Sequence, residues 1–483
     1  WAWKILRICR RIWNGRWLPE TMSIPSAENA GRTRGAAALG LLAWIRRQSW
    51  LQPFYRLLPE ALRGRIAGAL KSRTRRRLQF RKTAAWSRQS AITMHAPPSA
   101  HPPGTARLGV DMFGFIRGQF GLGESARMYA RALIESGAAV TLHDVDLGLP
   151  HGWNDRSLEA YMGQPPAHDV AIVCVNPDCF ADALEAIGRD ALAGKLVVGC
   201  WFWELETVPD TWLPALDHVD AIMVASTFIE TAFRKVTDKP IIRVPLPLSA
   251  VPDSGLQRED FGLDERSFVF LTTFDFNSHV ARKNPLAAVA AFRAAFPLER
   301  DDVRLVVKSS NGQWHDEGLR ALLRATGGDP RILVRDEVID RAHVRALQRC
   351  CDVYVSLHRA EGFGLGLAEC MEMGKPVIAT GWSGNMEFMN HGNASLVDFE
   401  LVPVTEGEYP GAVGARWADA DIDSAAEAML ALASSAGRVQ EIGRQAQREI
   451  RETLSPARAG DAIIRQLGSL AAARRAGQSS TSL

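Results

Sequence analysis

Two carboxylates separated by seven residues stand out in the run Glu361-Gly-Phe-Gly-Leu-Gly-Leu-Ala-Glu369. The apolar segment Val353-Tyr-Val-Ser-Leu357 before it reads as a buried strand, and a helix is expected to begin near Gly366. Glu361 then lies in the connecting loop, where a carboxylate can reach sugar or acceptor hydroxyls. Glu369 lies in the first turns of the helix, where it can accept hydrogen bonds from ribose hydroxyls. Gly362 and Gly364, flanking Phe363 and followed by Leu365, permit positive φ and close backbone approach. The free N–H groups and dipole at the start of such a helix favour a phosphate. The bland alternative is a strand, a turn and a helix with two surface glutamates.

The elements that must position these residues follow from periodicity. After a four-proline stretch from His95 to Gly104, apolar strands alternate with helices. Strands are expected at 107–115, 138–144, 170–175, 196–201, 221–225 and 241–245. A second alternating block starts at Phe268. Its strands are expected at 268–273, 303–308, 332–334, 353–357 and 376–380, and its helices at 285–296, 316–325, 341–350 and 366–373. Two last helices are expected at 423–436 and 438–453, with Gly437 as the stop between them. Alternation of this kind implies parallel sheets covered on both faces. A chain of 483 residues exceeds a single core of ~250–300 residues, so the fold class is α/β with two doubly wound domains.

The domain bounds follow from these shifts. A basic extension covers 1–95, a linker 96–105, an N-terminal domain 106–255, a C-terminal domain 256–450, and a helix with a tail 451–483. The extension holds 20 Lys/Arg against Glu20, Glu28 and Glu60, a net +17, whereas the remainder carries −14. It also holds seven of the 14 tryptophans. Arg with interfacial Trp suits an anionic membrane surface; a solvated or packed extension is the competing reading. Nucleic acid is disfavoured because no recognition module accompanies the Arg73-Thr-Arg-Arg-Arg77 run. No apolar stretch reaches the ~20 residues of a membrane span. Seven cysteines without C-x-x-C spacing read as small buried hydrophobes in a reducing, cytoplasmic setting, and no metal ligand set is visible.

Other candidate residues lie at loop-to-helix junctions. Arg282-Lys283-Asn-Pro is placed to stabilise a leaving anion, or is a solvated helix entry. Gly118-Gln-Phe-Gly121-Leu-Gly123-Glu124 opens a helix after the first strand, either as a phosphate-approaching turn or as a tight turn alone. Trp203 and Glu204 follow a strand end. They suit a sugar acceptor, with aromatic packing an equal alternative. Arg127 and His343 are expected on solvent-facing helix surfaces, His391 in a turn, and His358 in a loop.

The full run from Glu361 to Phe388, including Gly374-Lys-Pro-Val-Ile-Ala-Thr380-Gly-Trp-Ser-Gly-Asn385-Met-Glu387, resembles the signature of the retaining glycosyltransferases of family 4. The resemblance covers about residues 107–465. It implies a GT-B fold, two Rossmann-like domains facing a cleft, with a UDP- or GDP-sugar donor held mainly by the C-terminal domain. It further implies metal-independent transfer of a hexose, mannose among the candidates, with retention and no cofactor beyond the co-substrate. Lys283 aligns with the family's phosphate-clamp lysine. The companion arginine is absent from its usual place, where Asp275-Phe-Asn-Ser-His279 stands, and Arg282 is its substitute. By the same resemblance Gly121 and Gly123 approach the donor diphosphate, and the last helices pack back across the domain junction. With the basic extension, this points to a saccharide or lipid-linked acceptor in surface polysaccharide or lipopolysaccharide synthesis, on the inner face of the cytoplasmic membrane. The alternatives are an inactive GT-B-like binding or scaffold protein and a Rossmann-type oxidoreductase, whose G-x-G-x-x-G order is lacking.

Overall fold

The computed structural model describes residues 78–84, 86, 108–149, 151–249 and 254–481. The basic extension up to Arg77, with its Arg73–Arg77 run, and the proline-rich linker lie outside them. Among the described residues no helix is long and apolar enough to cross a membrane.

The first domain is a six-stranded parallel sheet of order β2-β1-β3-β4-β5-β6. Its strands are β1 (Gly109–Gly114), β2 (Ala139–Asp144), β3 (Val170–Cys174), β4 (Leu196–Cys200), β5 (Ala221–Val224) and β6 (Ile241–Arg243). Helices α1 (Gly121–Glu135), α2 (Phe180–Ile187) and α3 (Thr227–Arg234) connect them. The runs Val-Ala-Ile-Val-Cys and Leu-Val-Val-Gly-Cys of β3 and β4 are buried at every position. Uninterrupted apolar strands are what a sheet covered on both faces requires.

The second domain repeats the scheme with the order β12-β11-β10-β7-β8-β9. The strands are β7 (Phe268–Asp275), β8 (Val303–Ser310), β9 (Ile332–Asp336), β10 (Val353–Ser356), β11 (Val377–Thr380) and β12 (Ser395–Val397). The helices are α4 (Pro285–Ala295), α5 (Asp316–Ala325), α6 (Arg341–Cys350), α7 (Leu365–Glu372), α8 (Ile422–Ala433) and α9 (Ala436–Thr453). Strand order reverses between β7 and β10, so the loops leaving these two neighbours diverge and open a crevice at the strand ends.

Three features depart from the sequence reading. Gly437 is not a helix stop: it lies in the first turn of α9, and Ser435 makes the break by accepting the Arg438 N–H. A hairpin of β13 (Phe399–Pro403) and β14 (Arg416–Ala420) stands apart from both sheets. The final helix α10 (Pro456–Thr481) packs on α1 of the first domain, whereas α9 packs on α7. Ala132 of α1 and Gly460 of α10 approach so closely that a Cβ on Gly460 would sit 2.8 Å from the Ala132 carbonyl carbon.

Phe80 and Trp86 pack on the second domain. Phe80 and Trp86 meet Phe261 edge-on at 5.3 and 5.4 Å, and Trp86 lies 4.4 Å from the His343 ring. His343 is therefore buried, not on a solvent-facing helix surface.

Candidate active site

The loop after β7 is bent by two non-glycine residues at positive φ, His279 (62°) and Asn284 (46°). They bracket one helical turn, Val280–Lys283. Such conformations cost of order 1–3 kcal/mol each and persist where the surroundings hold them. The hold comes from the β10 loop: the Arg359 N–H donates to the Arg282 carbonyl (2.8 Å), and the Arg282 guanidinium donates to the Ala360 carbonyl (2.8 Å). Arg282 and Lys283 are thereby delivered to Glu361. Lys283 Nζ lies 2.5 Å from Glu361 Oε1, and Arg282 Nη1 lies 3.3 Å from Oε2.

Glu361 is fixed from behind as well. Its N–H donates to Ser383 Oγ (2.8 Å), and its carbonyl accepts the Gly384 N–H (2.8 Å). Gly384 passes so close that a Cβ there would lie 2.7 Å from the Glu361 carbonyl oxygen, which is why that turn carries glycine. His358 is buried and faces the Asn385 side-chain oxygen at 3.0 Å, while Asn385 donates to the Thr380 carbonyl. Burial lowers the His358 pKa, leaving the ring neutral at pH 7.

Burial alone would raise the Glu361 carboxyl, but the Lys283 and Arg282 cations outweigh it and hold the carboxyl down at about 2. Burial likewise opposes the Arg282 charge, and Glu204 and Glu361 reverse that and raise its pKa. The cluster is a carboxylate with two cations at the strand-order reversal of the second sheet.

The first domain closes on this cluster. The Ser226 hydroxyl donates to the Gly362 carbonyl (2.7 Å), and Glu204 Oε1 lies 3.6 Å from Arg282 Nη2. Glu387 accepts from the Thr227 N–H (2.7 Å) and pairs with Arg243. Trp203 is buried against Trp212 at 4.5 Å, and its indole N–H donates to the Thr207 carbonyl.

Of the two glycines expected at positive φ after Glu361, Gly364 adopts it and Gly362 does not; a Cβ on Gly362 would instead lie 3.1 Å from the Trp203 carbonyl oxygen. Gly364 stands at φ 90° as the cap residue before Leu365 starts α7. A Cβ on Gly366 would meet the Tyr354 hydroxyl at 2.7 Å. Phe363 is buried against Phe388, 5.0 Å away. Gly121 is open, with nothing near a Cβ, whereas a Cβ on Gly123 would strike the Phe115 carbonyl oxygen at 2.6 Å. Packing therefore accounts for Gly123, and Gly121 faces open space.

Arg341 joins the two helix starts. It pairs with Glu369 of α7 (2.8 Å) and with Glu124 of α1 (3.0 Å). Glu369 also accepts from Gln348 (2.9 Å). Burial would raise the Glu369 carboxyl, but Arg341 and Arg345 lower it below the usual range. Arg127, expected in solvent, is buried and paired with Glu124 (2.8 Å), because its guanidinium donates to the Ile116 and Gly118 carbonyls of the glycine turn. Arg341 escaped sequence reasoning because a single arginine after an ordinary helix cap, Asp340, carries no pattern. Tyr409 escaped it because it sits in the irregular β13–β14 loop, yet its hydroxyl donates to Glu204 at 2.5 Å.

Residues 271–434 match the family model described as glycosyl transferases group 1. No curated protein sequence matches the chain at a significant level. Among solved structures, HepE of Anabaena, determined in complex with UDP-glucose, is similar over 75 % of this chain and 100 % of its own, with 17 % identity and a TM-score of 0.56. Sucrose-phosphate synthase from Thermosynechococcus elongatus is 14 % identical over 77 % of this chain and 100 % of its own, with a TM-score of 0.55. A glycosyltransferase from Rickettsia africae is 12 % identical over 75 % and 97 %, with a TM-score of 0.53. At such identities the likeness speaks for the architecture, and the family match speaks for the second domain. The chain thus has the GT-B fold, and its residues 271–434 match the model described as glycosyl transferases group 1.

Proposed function

We propose that this chain is a retaining, metal-independent glycosyltransferase of family 4. It moves a hexose from a nucleotide-sugar donor to a saccharide or lipid-linked saccharide acceptor. The observation that carries the reading is the Lys283–Glu361–Arg282 cluster at the strand-order reversal of the second sheet, facing the first domain. The residues on either side of it have the chemistry that sugar transfer needs.

The donor sugar lies between the domains beside Glu361. The anomeric carbon–oxygen bond to the diphosphate breaks, and Lys283, Arg282 and the N–H groups at the start of α7 take up the charge that develops on the leaving phosphate oxygen. Glu361 accepts hydrogen bonds from the sugar and the incoming hydroxyl, and Glu369 receives the ribose in place of Arg341. The acceptor oxygen bonds to the anomeric carbon on the face the diphosphate leaves, and its proton passes to the departing phosphate. This keeps the anomeric configuration and uses no dedicated base. Gly121 brings its backbone to the diphosphate, and Gly123 shapes that turn. Glu204, held by the Tyr409 hydroxyl, faces the acceptor. The fixed cations perform the task for which other transferases use a divalent ion.

A thermal-shift series with UDP, GDP and ADP tests the donor class. A ligand present at 100 times its Kd stabilises a protein by about 2.7 kcal/mol, so UDP or GDP is expected to raise Tm and ADP to leave it unchanged. A protein indifferent to all three would overturn the nucleotide-sugar reading.

The pathway proposal rests on the basic 1–95 segment and assigns it to an anionic membrane surface. Full-length protein is expected to pellet with vesicles containing one-third phosphatidylglycerol, and protein lacking residues 1–77, which keeps the packed Phe80 and Trp86, to stay in the supernatant. Equal pelleting of the two forms would remove the membrane argument.

A further inference from the structure

The β13–β14 hairpin joins parts of the molecule that the transfer reading leaves separate. Its base is anchored beside Glu361. The Ala418 N–H donates to the Arg359 carbonyl (3.0 Å), Asp419 pairs with the Arg359 guanidinium (2.9 Å), and that guanidinium lies over the Trp417 ring at 5.3 Å. Its loop reaches the other domain, where Gly411 approaches Pro209 so closely that a Cβ would sit 2.8 Å from the Pro209 Cβ. Between base and tip stands Tyr409.

Tyr409 is surrounded by candidate site residues. Its ring meets His279 edge-on at 5.0 Å and Trp203 at 5.6 Å, and the Arg282 guanidinium lies 6.0 Å from its centroid. Its hydroxyl donates to one Glu204 oxygen (2.5 Å), and the other Glu204 oxygen faces Arg282 (3.6 Å). Arg282 in turn faces Glu361 (3.3 Å). The result is a continuous polar chain, Tyr409–Glu204–Arg282–Glu361–Lys283, that crosses from the second domain to the first and back. Burial, with Glu204 beside it, raises the Tyr409 pKa well above the ordinary phenol value, so the hydroxyl stays a donor at neutral pH.

We propose that Tyr409 is a positioning residue for the transfer reaction: acting through Glu204, it sets Arg282 against Glu361 when the two domains close. Glu204 belongs to the first domain and Arg282 to the second, so their alignment depends on closure. The hairpin ties that alignment to the loop carrying Glu361. Without the phenol, Glu204 loses the donor that holds it, and Arg282 loses a fixed counter-ion on the acceptor side.

This inference rests on the transferase reading, and the test separates the two. The measurements are UDP release from UDP-glucose without added acceptor, UDP affinity by calorimetry, and thermal unfolding. They are made for wild type, Tyr409→Phe, Glu204→Gln and the double variant. Tyr409→Phe keeps the ring and removes one hydrogen bond, an effect of about fivefold. A kcat lower by that factor is expected, with the KM for UDP-glucose and the UDP Kd within about twofold of wild type. The double variant is expected to fall no further than Glu204→Gln alone, because the two groups act as one unit. Additive losses, or parallel changes in kcat, KM and Kd, would overturn the positioning role, as would unchanged kinetics. A wild-type protein that neither binds UDP nor turns over UDP-glucose would count against the transferase reading for that donor. The Tyr409–Glu204 link is then read from thermal unfolding alone, where non-additive shifts sustain it and additive shifts overturn it.

Discussion

Replacing Glu361 by glutamine is expected to leave a folded protein that still binds nucleoside diphosphate but whose kcat falls by roughly 10²–10³-fold, the scale of losing one preorganised electrostatic contact. The substitution keeps the side-chain volume and the backbone bonds to Ser383 and Gly384. It removes the one carboxylate that both Lys283 and Arg282 contact. UDP affinity, which on this reading depends on the lysine and the α7 start, should change little; that separates a lost reaction step from a lost site. The same substitution weakens the fold, since removing one partner of a buried ion pair costs about 3–5 kcal/mol. Circular dichroism at 25 °C should nevertheless report a folded chain. Near-wild-type turnover in the variant would refute the assignment.

The acid side of the profile follows from the same residue. The Glu361 carboxyl sits at about 2 in the folded protein against 4.5 for the free group. A carboxyl lowered by folding stabilises the native state at pH above 4.5, and that contribution is lost as pH falls toward 2. Glu361 therefore stays ionised between pH 5 and 8. Protonation of Glu361 is not expected to appear as an acid limb in kcat between pH 5 and 8.

The second large effect belongs to Lys283. Lys283→Met is expected to lower kcat by about 10²–10³-fold and, unlike the Glu361 change, to weaken UDP binding as well. Lys283 is the more exposed of the two cations and pairs with Glu361 alone, so it is free to turn toward a diphosphate. Arg282 is fixed by the Ala360 carbonyl, Glu361 and Glu204, and meets the leaving phosphate without turning. Calorimetry with UDP and initial rates of UDP release from a UDP-sugar measure the two losses. Unchanged UDP affinity would move Lys283 away from the leaving group.

Much of this arrangement could be read from the sequence. Buried parallel strands announce themselves because both faces demand apolar residues, and β3, β4 and β5 lie within one residue of the expected bounds. The Glu361–Glu369 run was legible because glycine at Gly364 and Gly366 answers local needs, a positive φ and a hydroxyl at close range. What could not be read was long-range. Arg341 matters because α1 and α7 bring Glu124 and Glu369 to either side of it, and nothing in the spacing of 124, 341 and 369 encodes that meeting. The burial of Arg127 follows from carbonyl groups turned inward by the glycine loop, a property of backbone direction that its own helix does not reveal. Tyr409 lies in a segment with neither strand nor helix periodicity, and its partner is 205 positions away.

The return of α10 to the first domain fixes how the halves can move. The chain passes between domains after β6 and again after α9, and at the second passage the Leu248 N–H donates to the Leu454 carbonyl (2.7 Å). Two adjacent, hydrogen-bonded crossings act as a pair of pins on one axis, where a single linker would act as a ball joint. Relative motion is then confined to swinging about that axis, and residues far from it travel farthest for a given angle.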